Sequence, residues 1–161
     1  ELEALPSIHR NGTFPAAEAF AAFRDMIAER GTSLDPRVRV RIEGGGRMGA
    51  ADYIALLAAR QRLIEAFVRR TAGFDAVLMP TTPMTAPTIA ELEEDEARFH
   101  DVNLLMLRNP TVINLVDGCA VSLPCQAPGA FPVGLSVCAA MGHDLAVLAT
   151  AAAVEGVLAR Y

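Results

Sequence analysis

Residues 74–83 read FDAVLMPTTP, and this stretch carries the strongest fold signal in the chain. Its apolar part, residues 76–79, stands between Gly73 and Pro80. A short apolar run between two chain breakers is typical of a buried β-strand. A loop rich in proline and threonine follows at residues 80–87. Ligand sites of α/β proteins gather where strands end, so this loop is the first candidate for a functional site.

Helical patterns precede this strand. Pro15 opens a predicted helix over residues 16–30, because proline is tolerated in a first turn, where its missing N–H has no partner. Residues 50–72 carry apolar side chains at a period of about 3.6 residues and predict the strongest helix. Residues 36–42 alternate valine or isoleucine with arginine. That pattern fits a short helix capped by Asp35 or a strand, and periodicity alone does not separate the two.

More elements are predicted after the loop. The acidic stretch at residues 91–96 is interpreted as a solvated loop or the start of a helix. The other elements are a helical segment at 98–116 that Pro110 interrupts or divides, strands at 119–123 and 133–138, and a last helix from Asp144, its expected N-cap, to about Arg160. Helices, a strand, a long helical crossover, two strands and a helix together favour an α/β or mixed α+β fold.

Composition argues against several classes of function. The chain has 161 residues and a net charge of −5, and its 14 basic residues are all arginines, scattered along the chain. We therefore expect no nucleic-acid partner. No apolar run reaches the ~18 residues that a membrane span needs, so no membrane partner is expected. Three cysteines, an odd number in a loop-poor sequence, favour a reducing cytoplasm over a disulfide framework.

Three other kinds of site have weak support. His9, His100 and His143 are far apart and no cysteine or histidine pair has ligand spacing, so we expect no metal and no other cofactor. The run GGGRMG at residues 44–49 lacks the lysine of a phosphate-binding loop and is interpreted as a turn. Cys125 is a conceivable nucleophile with one of two histidines, His100 or His143. A small buried side chain is the stronger interpretation.

The serines offer no nucleophile of the elbow kind. None of the four, at positions 7, 33, 122 and 136, lies in a G-x-S-x-G context. Ser122 and Ser136 fall inside predicted strands, where a small polar residue is ordinary.

Several motifs together resemble the amidase signature family. The order and spacing of five stretches are similar to that family: the strand and loop at 74–87, RNPTVINL at 108–115, AVSLPC at 120–125, FPVGLSV at 131–137 and GHD at 142–144. Upstream, DPRV at 35–38, Asp52-Tyr53 and Arg60 also fit. The resemblance covers almost the whole chain and corresponds to about the last third of a family enzyme.

The resemblance implies both a fold and a reaction. The fold class is α/β: part of the amidase-signature fold, a mixed sheet, with about three strands here, flanked by helices. The reaction is hydrolysis or transfer of a carboxamide nitrogen by a serine nucleophile, a second serine with a cis peptide bond and a lysine base. This chain has no Gly-Ser-Ser run and no lysine. Because a serine hydroxyl needs an adjacent base, we expect no catalytic residue here.

The resemblance also directs attention to a pocket wall. Thr81 and Thr82 in the proline-rich loop, and Asn109 and Asn114 in the helical segment, are the candidate substrate-binding residues. Loop rigidity and helix capping are the simpler interpretations of the same residues. Some family members use an acidic residue at the position that Leu107 occupies here, which argues against a charged amino-acid substrate.

We therefore expect residues 1–161 to be the C-terminal part of an amidase-signature domain, inactive alone. Its apolar surface would pack against the N-terminal catalytic part of the same enzyme, and the intact enzyme would act on a small amide. The alternatives are a separate non-catalytic subunit that completes an enzyme in trans, and a fragment that self-associates as a homo-oligomer. The sequence does not distinguish a free amide, a urea and an aminoacyl-tRNA as the substrate.

Overall fold

The computed structural model describes residues 13–160, so Ser7 and His9 lie outside the described residues. The chain divides into two compact units, Glu1–Leu63 and Ile64–Tyr161. Within residues 13–160, the elements are six α-helices, one short 3₁₀ helix and three strands.

The first unit begins with helix α1, Phe14–Arg30. The Thr13 side chain accepts a hydrogen bond from the Ala16 N–H at 3.4 Å, and Pro15 lies in the first turn, as predicted. A 3₁₀ helix, Gly31–Ser33, follows.

Helix α2, Pro36–Gly45, resolves the ambiguity of the arginine-rich stretch. The Asp35 carboxylate accepts a hydrogen bond from the Arg37 N–H at 2.8 Å, so the helix interpretation is confirmed and the strand alternative is wrong. Val38 and Val40 are 48% and 62% exposed. The alternation therefore does not separate a buried face from an exposed one, which a half-buried strand would require.

Helix α3, Ala50–Thr71, confirms the strongest helical prediction. In the first unit, the Tyr53 hydroxyl donates to Glu18 Oε1 at 3.0 Å. This bond, with some desolvation and the nearby carboxylate charge, raises the pKa of Tyr53. The Tyr53 ring packs edge-on against the Phe14 ring, with 5.8 Å between the ring centroids. The Arg60 guanidinium lies 5.9 Å from the centroid of the Phe14 ring.

The second unit is built on a sheet with strand order β1-β3-β2. Its strands are β1, Val77–Pro80, β2, Cys119–Pro124, and β3, Gly134–Ala139. Both outer strands are antiparallel to β3, with Ser136 opposite Met79 on one side and opposite Ser122 on the other. The α/β fold class is confirmed. The expectation that β1 is buried is wrong, since β1 is an edge strand here and Leu78 is 54% exposed.

Helix α6, Asp144–Leu158, covers one face of β2 and β3. The core between them contains Leu123, Val137, Ala139, Val147 and Ala151. Since successive strand residues point to opposite faces, Ser122, Gly134 and Ser136 lie on the face turned away from α6. The sheet thus has an apolar face under α6 and a second face that carries the hydroxyls of Ser122 and Ser136.

One correction concerns the start of α6. The N-cap of α6 is His143 and not Asp144, because the turn begins earlier, with Gly142 at a φ of +81° and the His143 N–H bonded to the Ala140 carbonyl. Asp144 is the first helical residue, where its negative charge still favours the helix N-terminus.

The acidic stretch forms helices. Helix α4, Ile89–Glu94, starts with a capping box between Thr88 and Glu91, and those hydrogen bonds lower the pKa of Glu91. Helix α5, Glu96–Leu115, continues through Pro110, so the interruption predicted there is not a break. Within residues 13–160, no helix is long and apolar enough to cross a membrane.

The glycine run at residues 44–49 belongs partly to α2 and partly to the turn that was predicted. Gly45 is buried, and a Cβ added there would collide with the backbone carbonyl of Ala16 in α1. At Gly44 the nearest atom to an added Cβ is the flexible end of the Arg47 side chain, at 3.4 Å.

This difference predicts opposite effects of the same substitution at adjacent positions. We expect Gly45→Ala to lower the free energy of unfolding by about 1–3 kcal/mol, because α1 and α2 must separate to admit the methyl group. We expect Gly44→Ala to raise it by about 0.5–1 kcal/mol, since alanine loses less backbone entropy in a helix. Urea unfolding followed by circular dichroism measures both, and equal effects would contradict the packing described.

Candidate substrate-binding wall

The candidate site lies where β1 ends. The Thr81 N–H donates to the Gly134 carbonyl at 2.8 Å, which extends the pairing of β1 and β3 by one residue. The carbonyl of the preceding residue, Pro80, accepts a hydrogen bond from Asn109 Nδ2 at 2.8 Å. The Pro80–Thr81 peptide is therefore held by the sheet on one side and by α5 on the other. This brings two of the predicted residues, Thr81 and Asn109, to the same place.

Three hydroxyls meet at this strand end, and we call Thr81, Ser122 and Ser136 the hydroxyl triad. Thr81 Oγ1 lies 2.6 Å from Ser122 Oγ and 2.7 Å from Ser136 Oγ. Because a hydroxyl has one proton and two lone pairs, Thr81 can donate to one serine and accept from the other. Ser136 is only 7% exposed, so its hydroxyl needs a protein partner, whereas Ser122 is exposed.

A glycine makes the triad possible. Thr81 and Ser122 belong to opposite edges of the sheet and reach toward each other across β3. An added Cβ at Gly134 would lie 2.6 Å from both Thr81 Oγ1 and Ser122 Oγ. Any larger residue at position 134 would therefore occupy the space in which the two hydroxyls meet.

The other predicted residues are not part of the triad. The Thr82 hydroxyl donates to the Met84 carbonyl at 3.1 Å and so stabilises its own loop. Asn114 is exposed on the last turn of α5. It lies five positions after Asn109, or about 7.5 Å along the helix axis and about 140° around it. A substrate-binding role for Thr81, Thr82, Asn109 and Asn114 stays a prediction.

Sequence reasoning missed Ser122 and Ser136. Both were interpreted as ordinary strand residues, and both do lie within strands. The only available signal was a small polar residue in the interior of each of two apolar strands. That signal becomes informative only when the register places Ser122 opposite Ser136.

The cysteines have other partners than imidazoles. Cys125 Sγ is exposed and lies 3.5 Å from the Val133 carbonyl, while His143 Nδ1 lies 3.2 Å from the Met141 carbonyl. Burial, and to a lesser degree the Cys119 thiol, raise the pKa of the Cys138 thiol to about 11. The partner of Cys125 is a backbone carbonyl and not a base, so the structure does not place it as an activated nucleophile, and the raised pKa of Cys138 argues against that role there.

The second unit also contains an open cleft of about 250 Å³ near the start of β1. Its lining includes Val68, Phe74, Cys138 and His143. Among residues 13–160, no group of three or more histidine, cysteine or acidic side chains is arranged to hold a metal ion.

Comparison with known proteins identifies the family. A family model described as Amidase matches residues 6–148 of the 161-residue chain. The chain belongs to the amidase family. The strand-end wall described above is therefore a part of an amidase fold, as the sequence motifs indicated.

Individual relatives agree with this assignment. The chain is 26% identical over 152 residues to a 2-amino-5-chloromuconic acid deaminase of Comamonas testosteroni, covering 94% of this chain and 33% of the relative. It is 34% identical over 134 residues to a fatty acid amide hydrolase of Medicago truncatula, covering 81% of this chain and 22% of the relative. A solved structure described as an amidase matches 92% of this chain and 38% of its own, with 25% identity and a TM-score of 0.64. This amidase chain thus spans about a third or less of the curated relatives named here.

The hydroxyl triad predicts a selective effect of removing one hydroxyl. We expect Thr81→Val, which keeps the side-chain shape, to lower the free energy of unfolding by about 1–3 kcal/mol, because the buried Ser136 hydroxyl loses its partner. Thr85→Val, in the exposed part of the same loop, should change it by less than about 0.5 kcal/mol. Urea unfolding measures both, and equal effects of the two variants would show that the triad does not stabilise the fold.

The burial of the thiols predicts their order of reaction. At pH 8 we expect iodoacetamide to label exposed Cys125 first and to label Cys138 only after unfolding, since Cys138 is fully buried and its pKa is about 11. Mass spectrometry of the alkylated peptides gives the order. A rapid labelling phase that persists in Cys125→Ser would contradict it.

Proposed function

We propose that this chain forms sheet and substrate-pocket wall of an amidase that hydrolyses carboxamide C–N bonds, and that it is inactive alone. The observation that carries the proposal is a family match over residues 6–148 in a chain without any lysine. The catalytic serine and lysine of that chemistry would come from the N-terminal catalytic part of the same enzyme. Residues 1–161 would then be the C-terminal part of the amidase-signature domain.

The environment of the hydroxyl triad supports a binding role over a nucleophilic one. A serine or threonine hydroxyl becomes a useful nucleophile near neutral pH only with a base beside it. Thr81 instead bonds to two other hydroxyls, which are weak bases. The hydroxyl triad can orient a polar ligand by hydrogen bonds, but it contains no base that could take a proton from a nucleophile.

The outer face of α6 supports a larger assembly. Leu145 and Leu148 are 83% and 55% exposed, although the opposite face of the same helix is packed on the sheet. At 100° per residue, Leu145, Leu148, Ala149 and Ala152 form one apolar stripe. A helix that is apolar on both faces is typical of a protein interior. The catalytic part of the enzyme is the occupant we propose for this stripe.

The substrate of the intact enzyme would be a small amide, and the enzyme would act in the cytoplasm. One relative named above is described as a fatty acid amide hydrolase, which supports an amide as the substrate. The alternative assembly is a non-catalytic subunit that completes an enzyme in trans. The stripe on α6 supports this alternative equally, and a homo-oligomer would cover the same surface.

Complementation tests the proposal. We expect the 161-residue chain alone to release no ammonia from simple amides. The full-length protein encoded by its reading frame, or the chain mixed with the upstream catalytic part, should release ammonia. Hydrolysis by the chain alone would overturn the assignment of catalysis to another part, and its loss in Cys125→Ala would show that this thiol carries it.

The α6 stripe gives a sharper form of the same test. Leu145→Glu with Leu148→Glu should weaken association with the catalytic part at least tenfold, because two charges would be buried without partners. Ile89→Glu is the matched control, since Ile89 is 75% exposed at the start of acidic α4. Sizing of the two parts alone and mixed measures association, and it also reveals a homodimer of this chain if one forms instead.

A further inference from the structure

We propose that Ser122 is a substrate-contacting residue that binds a neutral carboxamide. Thr81 and Ser136 are positioning residues behind it, and the absence of a side chain at Gly134 leaves space for the three hydroxyls to come together. This inference rests on the proposed function and names the ligand class of the same wall.

Ser122 is the exposed end of the triad. Its neighbours in β2, Val121 and Leu123, point toward α6, so Ser122 points away from that helix. Within the described part of the chain, residues 13–160, its hydroxyl makes one bond, to Thr81 at 2.6 Å. A hydroxyl offers one proton and two lone pairs, so Ser122 keeps hydrogen-bonding capacity for a ligand. At the other end of the triad, Ser136 is buried and cannot meet a ligand without movement of the sheet.

The triad can present either a donor or an acceptor to that ligand. When Ser136 donates to Thr81 and Thr81 donates to Ser122, the Ser122 proton is free for a carbonyl oxygen. When the three hydroxyls rotate the other way, Ser122 donates to Thr81 and offers its lone pairs to an N–H. The distances of 2.6 and 2.7 Å permit both directions, because either atom of each pair can be the donor. A carboxamide carries both an N–H₂ donor and a carbonyl acceptor, so it matches either state.

The face around Ser122 is uncharged. By strand alternation, five uncharged residues share this face with the triad: Val77, Met79, Ala120, Gly134 and Cys138. A charged group near this strand end is Arg108, whose exposed guanidinium donates through Nε to Asn109 Oδ1 at 3.2 Å. A ligand ammonium group would meet no carboxylate among the strand residues of this face and would have the Arg108 cation nearby, whereas Asp75 lies in the cleft at the other end of β1. The face therefore favours carboxamides without an ammonium group.

Gly134 is needed for the contact between Thr81 and Ser122, and so for the ligand preference proposed above. The added Cβ 2.6 Å from both hydroxyls would separate Thr81 from Ser122 while leaving both side chains present. Ser122 would then lose the partner that orders its hydroxyl. A glycine at this position is thus required for ligand binding by the triad, and not only for the pairing of β3.

Steady-state kinetics of the full-length enzyme test the inference. Propionamide and glycinamide differ chiefly by a methyl group in place of an ammonium group, so we expect a higher kcat/KM for propionamide. We expect Ser122→Ala to raise KM for propionamide about fivefold with little change in kcat, as for a lost hydrogen bond made equally in ground and transition states. Ser122→Thr should restore KM, and Gly134→Ala should raise it.

Ser33→Ala is the control, because Ser33 donates to the Arg30 carbonyl in the 3₁₀ turn of the first unit. A melting curve accompanies each variant, so a loss of folding is distinguished from a loss of binding. If the enzyme hydrolyses amides and Ser122→Ala leaves KM unchanged, this inference fails and the proposed function stands. If the enzyme neither hydrolyses nor binds any carboxamide, both fail.

Discussion

Strand β3 is hydrogen-bonded on both sides, and the second unit depends on the register of those two pairings. Ser136 stands opposite Met79 in one neighbour and opposite Ser122 in the other. Because side chains alternate along a strand, a slip of one residue would turn Val137 away from α6 and bring Ser136 under it. The same register therefore places the apolar core on one face of the sheet and the hydroxyl triad on the other.

The triad serves the fold and the candidate site together. Ser136 is buried, and an unpaired buried hydroxyl would be costly, so the sheet needs a partner for it. Thr81 supplies that partner, and in doing so it attaches the proline-rich loop to the sheet. Asn109 holds the same peptide from α5 through the Pro80 carbonyl. The loop that carries Thr81, the positioning residue behind Ser122 in our proposal, is thus held by the bonds that stabilise the strand end.

The surface of the second unit agrees with membership of a larger fold. Within residues 13–160, β1 and β2 are both edge strands, and the sheet has only three strands. Leu78 on β1 and Leu145 on α6 are mostly exposed. Edge strands and apolar helix faces are usually covered or protected in stable proteins, because both promote association. The covering surface that we propose is the catalytic part of the amidase.

The sequence by itself determined most of the helices and strands, because periodicity, Pro15 and the breakers around residues 76–79 act locally. It left residues 36–42 open between a helix and a strand, and the structure decided for the helix. The sequence also determined the family, because ordered motifs span most of the chain. Its errors were at places where local signals conflict, such as the exact cap of α6 and the helix that continues through Pro110. Only the tertiary structure decided that Ser122 and Ser136 meet Thr81 over Gly134, because that contact requires two strand pairings between segments 41 and 55 residues apart. No local pattern encodes the register of a distant partner, so the site emerged from the sheet and not from any one motif.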